Sequence, residues 1–177
     1  PYLGICLGMQ VAVIEFARHV LGIANAHSTE MNPDTHHAVI DMMEEQKRIT
    51  EMGGTMRLGS YPCIIKENTL AQQIYGTRHI NERHRHRWEF NSHYADDFEK
   101  GGMVLSGHNP ESGLVEIVEL PNHPFFIGVQ YHPELKSTVE TPAPLFVHFV
   151  AAAKAYNDRK TQMPPAAASG IKMGGMI

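Results

Sequence analysis

The sequence predicts an α/β domain, on three observations. The chain opens with PYLGICLGMQ, an apolar run that reaches Cys6 and passes at once into residues of mixed helical periodicity. From Thr55 onward the pattern changes to short, strand-like segments. Near the other end, residues 145–156 are Ala-rich, with Phe146, Phe149 and Val150 recurring on one helical face.

Each element follows in order. Residues 3–5 read as the end of a buried strand, and 7–20 as the helix it feeds, with Val11, Ile14, Ala17 and Leu21 in its pattern and Gly22 as its stop. A strand–Cys–helix turn is the junction at which open parallel sheets present reactive groups. AHSTEMNPDTHH reads as a loop, because Ser28, Asn32, Pro33 and Asp34 are turn formers. Residues 38–51 hold a short apolar run and then charges, ending at Gly53 and Gly54; the acidic, Met-rich stretch 41–52 receives no function. Strands are expected at 56–58, 62–65, 87–90, 103–106, 114–119 and 125–131, with a short helix at 69–75. The second half should therefore be antiparallel or mixed. The tail after Lys160, including PPAAASGIKMGGMI, is low in complexity and expected to be disordered, which divides the chain into a domain at 1–160 and a tail at 161–177.

Composition narrows the function classes. At 177 residues, 42% hydrophobic and 19% charged, the chain suits one soluble domain with a sizeable core. Fifteen basic against nineteen acidic residues give a net charge of −4, so nothing draws the chain generally to nucleic acid. No apolar run approaches the roughly 18 to 20 residues of a membrane span. Two distant cysteines make no disulfide framework, and a cytoplasmic setting is expected. A first residue of proline leads to the expectation of a truncated or excised piece.

Gly4 and Gly8 flank Cys6 at the spacing of a nucleophile elbow, G-x-[nucleophile]-x-G. A free thiol near pKa 8.5 is mostly protonated at neutral pH and needs help to attack. The start of the following helix favours a thiolate. The N–H of Leu7 points to where an oxyanion would form. The bland alternative is a small buried cysteine, which is how Cys63 in YPCII reads. The elbow also needs a base. Among 12 histidines, His132 in YHPE stands out, since Pro133 ends an apolar strand and leaves His132 at the sheet rim. Glu134, two residues on, suits the third role of a triad, accepting from the imidazole and orienting it.

G-x-C-x-G followed more than a hundred residues later by HPE resembles the class I glutamine amidotransferases. More narrowly, GICLGMQ, AHSTE, GGTMRLG, ERHRHRWE, NHPFF and QYHPE together resemble the glutaminase domain of the CTP synthases. The resemblance implies a flavodoxin-like open sheet with helices on both faces, lacking its first strands. It implies that Cys6 attacks the side-chain amide of glutamine, with His132 as general acid/base and Glu134 as its orienter. It places Leu7, Gly8, Met9 and Gln10 along the substrate pocket, Glu30 on the substrate's α-ammonium, and Arg87, ahead of Arg83 and Arg85, on the substrate. His27, Met31 and Leu135 depart from the usual family residues without removing a catalytic group.

The same resemblance implies no cofactor or metal in this chain. For a complete enzyme it implies ATP, Mg and a GTP activator, a synthetase domain receiving the ammonia, and a homo-oligomer formed through that domain. The run RHINERHRHRWEF also admits RNA stacking or zinc binding, against which stand the net charge and the lack of a second ligand pair; its bland reading is an alternating strand with charges on the solvent face. Two functional alternatives remain at this point. One is a catalytically weak or inactive paralogue serving as a regulatory or assembly module; the other is a Cys-His hydrolase without a synthetase, against which GGTMRLG argues.

Overall fold

The computed structural model describes residues 1–42 and 56–162. Most of the acidic stretch 41–52, the glycines of GGTMRLG that precede Met56, and the tail from 163 lie outside the described residues.

The expected strand–Cys–helix opening is β1 (Tyr2–Ile5) and α1 (Leu7–His19). Two strands follow where the sequence suggested a loop and a short apolar run, β2 (Ala26–Ser28) and β3 (His37–Met42). Both bury residues against α1, and this tertiary burial overrides weak local propensity. β4 (Arg57–Ile65) joins two expected segments into one strand. Pro62 is tolerated inside it because β7 joins only at Ile64, leaving that edge open beside the proline.

The remaining elements are α2 (Leu70–Tyr75), β5 (His79–His86), β6 (Trp88–Phe90), α3 (Ala95–Lys100), β7 (Val104–His108), β8 (Val115–Glu119), β9 (Phe126–Val129) and α4 (Pro144–Gln162), with 3-10 turns at Ser92–Tyr94 and Pro133–Leu135. α2 begins where Thr69 accepts from the Gln72 amide and both Glu119 oxygens accept from Leu70 and Ala71 at 2.8 Å. It stops at Gly76, which is left-handed.

Six strands form a mixed sheet in the order β1-β9-β8-β7-β4-β5, and three form a small sheet, β2-β3-β6. Among the described residues of the large sheet only β1 and β9 run parallel; every other pair is antiparallel, as expected of the second half. Helices cover both faces. On one side Met9, Val13, Phe16 and Ala17 of α1 share a core with Val39, Phe90, Phe98 and Val118. On the other, Ala71, Ile74 and Leu145 pack with Ile65, Ile127, Val129 and Tyr131. Among the described residues no helix is long and apolar enough to cross a membrane.

Candidate active site

Cys6 sits at the carboxyl end of β1 with φ 50° and ψ −103°, a left-handed φ that a side-chain-bearing residue rarely adopts. Surrounding contacts hold the strain. The Cys6 amide donates to Val129 O at 2.7 Å, and the Cys6 carbonyl accepts from the Gln10 amide at 3.2 Å as α1 begins. Of the two flanking glycines, only Gly4 is sterically required: a Cβ there would lie 2.8 Å from the Gly8 carbonyl carbon and 2.9 Å from the Met9 nitrogen. A Cβ on Gly8 would meet nothing nearer than the Tyr2 hydroxyl at 3.9 Å. Gly4 pairs across the sheet with Gly128, whose added Cβ would meet Val118 at 2.9 Å and Met9 at 3.1 Å. This bare patch lets the start of α1 rest directly on two backbones.

Parallel pairing of β1 with β9 brings the residues after Val129 to the same end of the sheet as Cys6. There His132 Nδ1 lies 2.6 Å from Glu134 Oε1, so the carboxylate fixes the ring and its tautomer, as the YHPE spacing suggested. His132 Nε2 is buried, and no hydrogen-bond partner meets it among the described residues. The turn is fastened to β5: the His132 amide donates to Arg83 O at 2.8 Å, while Lys136 Nζ reaches Asn81 O at 2.5 Å and Glu82 at 3.3 Å.

Cys6, Leu7, Gln10, Glu30, Arg87 and Trp88 line one cleft of about 300 Å³, which Arg85 joins. The structure thus brings together the nucleophile candidate and four of the six residues expected to bind substrate. Leu7 is half exposed at the rim. Met9 is fully buried in the core beneath the elbow, and the Gly8 carbonyl accepts from the Tyr2 hydroxyl at 2.8 Å, so neither offers a side chain to the cleft. Arg83 is exposed on β5 and does not line the cleft.

Trp88 ties the cleft walls together. Its Nε1 donates to Thr29 Oγ1 at 3.1 Å, Thr29 Oγ1 donates to Asp41 at 2.7 Å, and Trp88 O accepts from Gln10 Nε2 at 2.9 Å. The bend carrying Arg87, between β5 and β6, is thereby linked to the turn carrying Glu30. Sequence reasoning missed this strap, since an indole donor and a threonine 59 positions apart leave no local pattern.

The electrostatics of Cys6 differ from expectation. Burial is the largest influence and raises the thiol above its ordinary value; the Leu7 N–H lowers it, and the carboxylates of Glu89, Glu134 and Glu30 raise it further. The helix start alone does not make a resting thiolate.

β5 corrects a second expectation. The strand alternates and sends Arg83 and Arg85 to solvent, yet Glu82, His84 and His86 point inward and are buried. His84 and His86 face a buried ionic cluster in which Arg57 Nη2 lies 2.5 Å from Glu116 Oε1 and Arg57 Nη1 3.5 Å from Glu89 Oε1, while Glu82 faces Lys136 and Tyr75. Arg57 also stacks 4.5 Å over the Tyr61 ring. A period of two places residues on alternate faces without saying which face is wet, so the polar run alone could not reveal the buried side.

The model of the family "Glutamine amidotransferase class-I" matches residues 1–152. Among curated proteins, the chain is 65% identical over 153 residues to a CTP synthase of Flavobacterium johnsoniae, covering 86% of this chain and 28% of that protein. It is 58% identical over 167 residues to a CTP synthase of Chlorobium phaeobacteroides, covering 93% and 30%. The chain therefore spans less than a third of the length of these relatives. Among solved structures, a Trypanosoma brucei CTPS glutaminase domain with bound acivicin aligns with TM-score 0.83 at 40% identity, over 88% of this chain and 60% of that one.

Proposed function

The chain belongs to the class-I glutamine amidotransferase family, and from that premise we propose that it is the glutamine-hydrolysing part of a CTP synthase. The observation that carries the reading is the shared cleft: a strained Cys6 faces the same 300 Å³ space as a carboxylate, Glu30, and a guanidinium, Arg87. An α-amino acid carries one ammonium and one carboxylate, and this pair of opposite charges complements both while leaving the side-chain amide for the sulfur.

In the proposed reaction Cys6 gives its proton to His132 Nε2 as the sulfur attacks the amide carbon of glutamine. The Leu7 N–H steadies the oxyanion that forms. Collapse breaks the C–N bond, and His132 returns the proton to the leaving nitrogen, releasing ammonia. Water, deprotonated by His132, then attacks the thioester; the C–S bond breaks, glutamate leaves and the thiol is restored. Glu134 orients the imidazole throughout.

The ammonia would serve the ATP-dependent amination of UTP in a synthetase domain of a longer chain, through which a homo-oligomer would form. ATP, magnesium and a GTP activator belong to this reading as requirements of the complete enzyme.

The test is Cys6→Ala in the complete polypeptide. CTP formation from glutamine should disappear, and formation from free ammonia should persist. Retained glutamine use, or loss of both activities in a folded protein, would overturn the reading.

A further inference from the structure

Gln130 is fully buried beside the nucleophile and takes no part in the triad or in the cleft walls. Its Nε2 lies 3.6 Å from Cys6 Sγ, and its Oε1 lies 3.2 Å from Gln10 Nε2. Donor and acceptor inventory fixes which end of each amide faces which neighbour. Trp88 O, 2.9 Å from the end of Gln10, is a carbonyl and can only accept, so that end of Gln10 must be its NH2. The second hydrogen of the same NH2 points to Gln130, whose facing atom must then be oxygen. Only the NH2 of Gln130 is left for the sulfur. A main-chain carbonyl thus orients Gln10, Gln10 orients Gln130, and Gln130 presents an N–H to Cys6.

We propose that Gln130 is a further catalytic residue, whose side-chain N–H donates to the Cys6 sulfur and stabilises the thiolate as it forms, with Gln10 as its positioning residue. The proposal rests on the reading of Cys6 as the nucleophile. A hydrogen bond to the charged form of an acid favours that form, and bonds to an ionised partner are roughly twice as strong as neutral ones. The sulfur needs such a donor, because burial and the carboxylates of Glu89, Glu134 and Glu30 all oppose its ionisation. Gln130 is placed to act because its backbone is fixed on both sides. Its amide donates to Glu116 O at 2.9 Å, and Val129 before it accepts from the Cys6 amide at 2.7 Å. An uncharged donor also leaves the charge balance of the cleft, set by Glu30, Arg85 and Arg87, undisturbed.

The experiment uses the complete polypeptide and three readings: the pH dependence of Cys6 alkylation by iodoacetamide, kcat and KM for glutamine, and CTP formation from free ammonia. Gln130→Met keeps bulk and removes the donor. Its alkylation midpoint should move up by about one pH unit. Its kcat should fall about 10- to 100-fold, the worth of a hydrogen bond to a charged group, with KM within about 2-fold and ammonia-dependent activity retained. Gln10→Leu, which frees the Gln130 amide to turn, should move the midpoint in the same direction by less.

An unchanged midpoint in Gln130→Met, whatever happens to kcat, overturns the proposal and leaves Gln130 a packing residue. Should Gln130→Met lose ammonia-dependent activity through misfolding, the midpoint of Gln10→Leu decides: no shift there overturns the proposal equally. A separate outcome strikes the premise alone, namely wild-type protein alkylated at Cys6 that still hydrolyses glutamine.

Discussion

His84 Nδ1 lies 2.8 Å from His86 Nε2, and both rings are buried in the sheet interior. With both rings neutral, His86 Nδ1–H donates to the Trp88 carbonyl 3.3 Å away, and its bare Nε2 receives the hydrogen on His84 Nδ1. Burial and the Arg57 guanidinium agree with that assignment, lowering His84 to about 2 and His86 to about 3.

Stability should accordingly be highest between about pH 4.5 and 6.5, where the two opposing pairs offset each other. Both histidines have folded values below the ordinary 6.5, so between those values the unfolded chain binds more protons and stability rises with pH. Glu89, raised by burial to about 8, and Glu116, also raised, act the other way: the native state binds more protons from pH 4.5 upward, and stability falls as pH rises through 8. Each unbalanced proton contributes a slope of about 1.4 kcal/mol per pH unit. Urea midpoints measured from pH 4 to 9 should show a maximum, and Glu89→Gln should flatten its alkaline side. A midpoint that rises steadily across the range contradicts the assignment.

Gly128→Ala should cost about 1–3 kcal/mol, the usual penalty of overpacking, because the new Cβ would lie 2.9 Å from Val118 and 3.1 Å from Met9. Gly8→Ala is the contrasting variant. It lies inside α1 with open space around it, so it should be neutral or gain up to about 1 kcal/mol in helix propensity. Thermal or urea unfolding of the pair distinguishes a crowded glycine from a free one.

His132→Ala in the complete polypeptide should lower glutamine-dependent kcat by about 100- to 10,000-fold, the range of general acid–base catalysis. Glu134→Ala should lower it less, since the carboxylate only orients the ring. Steady-state assays with glutamine and with ammonia check both, and equal losses on the two nitrogen sources would remove His132 from the proposed role.

Trp88→Phe keeps an aromatic ring and deletes the N–H that reaches Thr29. One net hydrogen bond of about 0.5–1.5 kcal/mol corresponds to a rise in KM for glutamine of roughly 2- to 10-fold, with little change in kcat. Thr29→Val, which also removes the bond to Asp41, should raise KM at least as much, and adding Trp88→Phe to it should change little further. Additive losses would show that the two side chains act separately.

The chemistry of the site was legible where residues are close in the chain. Gly4-x-Cys6 and His132-x-Glu134 are local geometries, so their spacing carried the elbow and the imidazole–carboxylate bond directly. The helices of the first and last thirds were legible for the same reason, their apolar period being local. β2 and β3 were not, because AHS and HAVIDM become strands only by packing on α1 and β6. Nor was the inward face of β5, where His84 and His86 are buried facing Glu116 and Glu89, and Glu82 faces Tyr75 of α2, all distant in the chain or on other elements. Gln130 stands inside the QYHPE motif, yet its bond to Cys6 spans 124 positions and no period reports it.

Among the described residues β1 and β5 are the outermost strands of the large sheet, yet Cys6, just after the one, and Arg85 and His86 of the other border the same cleft. The sheet must curl to bring its margins together, and the segment from Gln130 to Lys136 laces them, bonded to Cys6 at one end and to Asn81 at the other. The cleft is a seam between these two margins. A ligand held at once by Cys6 and Arg87 would act as a stitch across that seam, slowing amide exchange along both margins while leaving β7 and β8, already enclosed, almost unchanged.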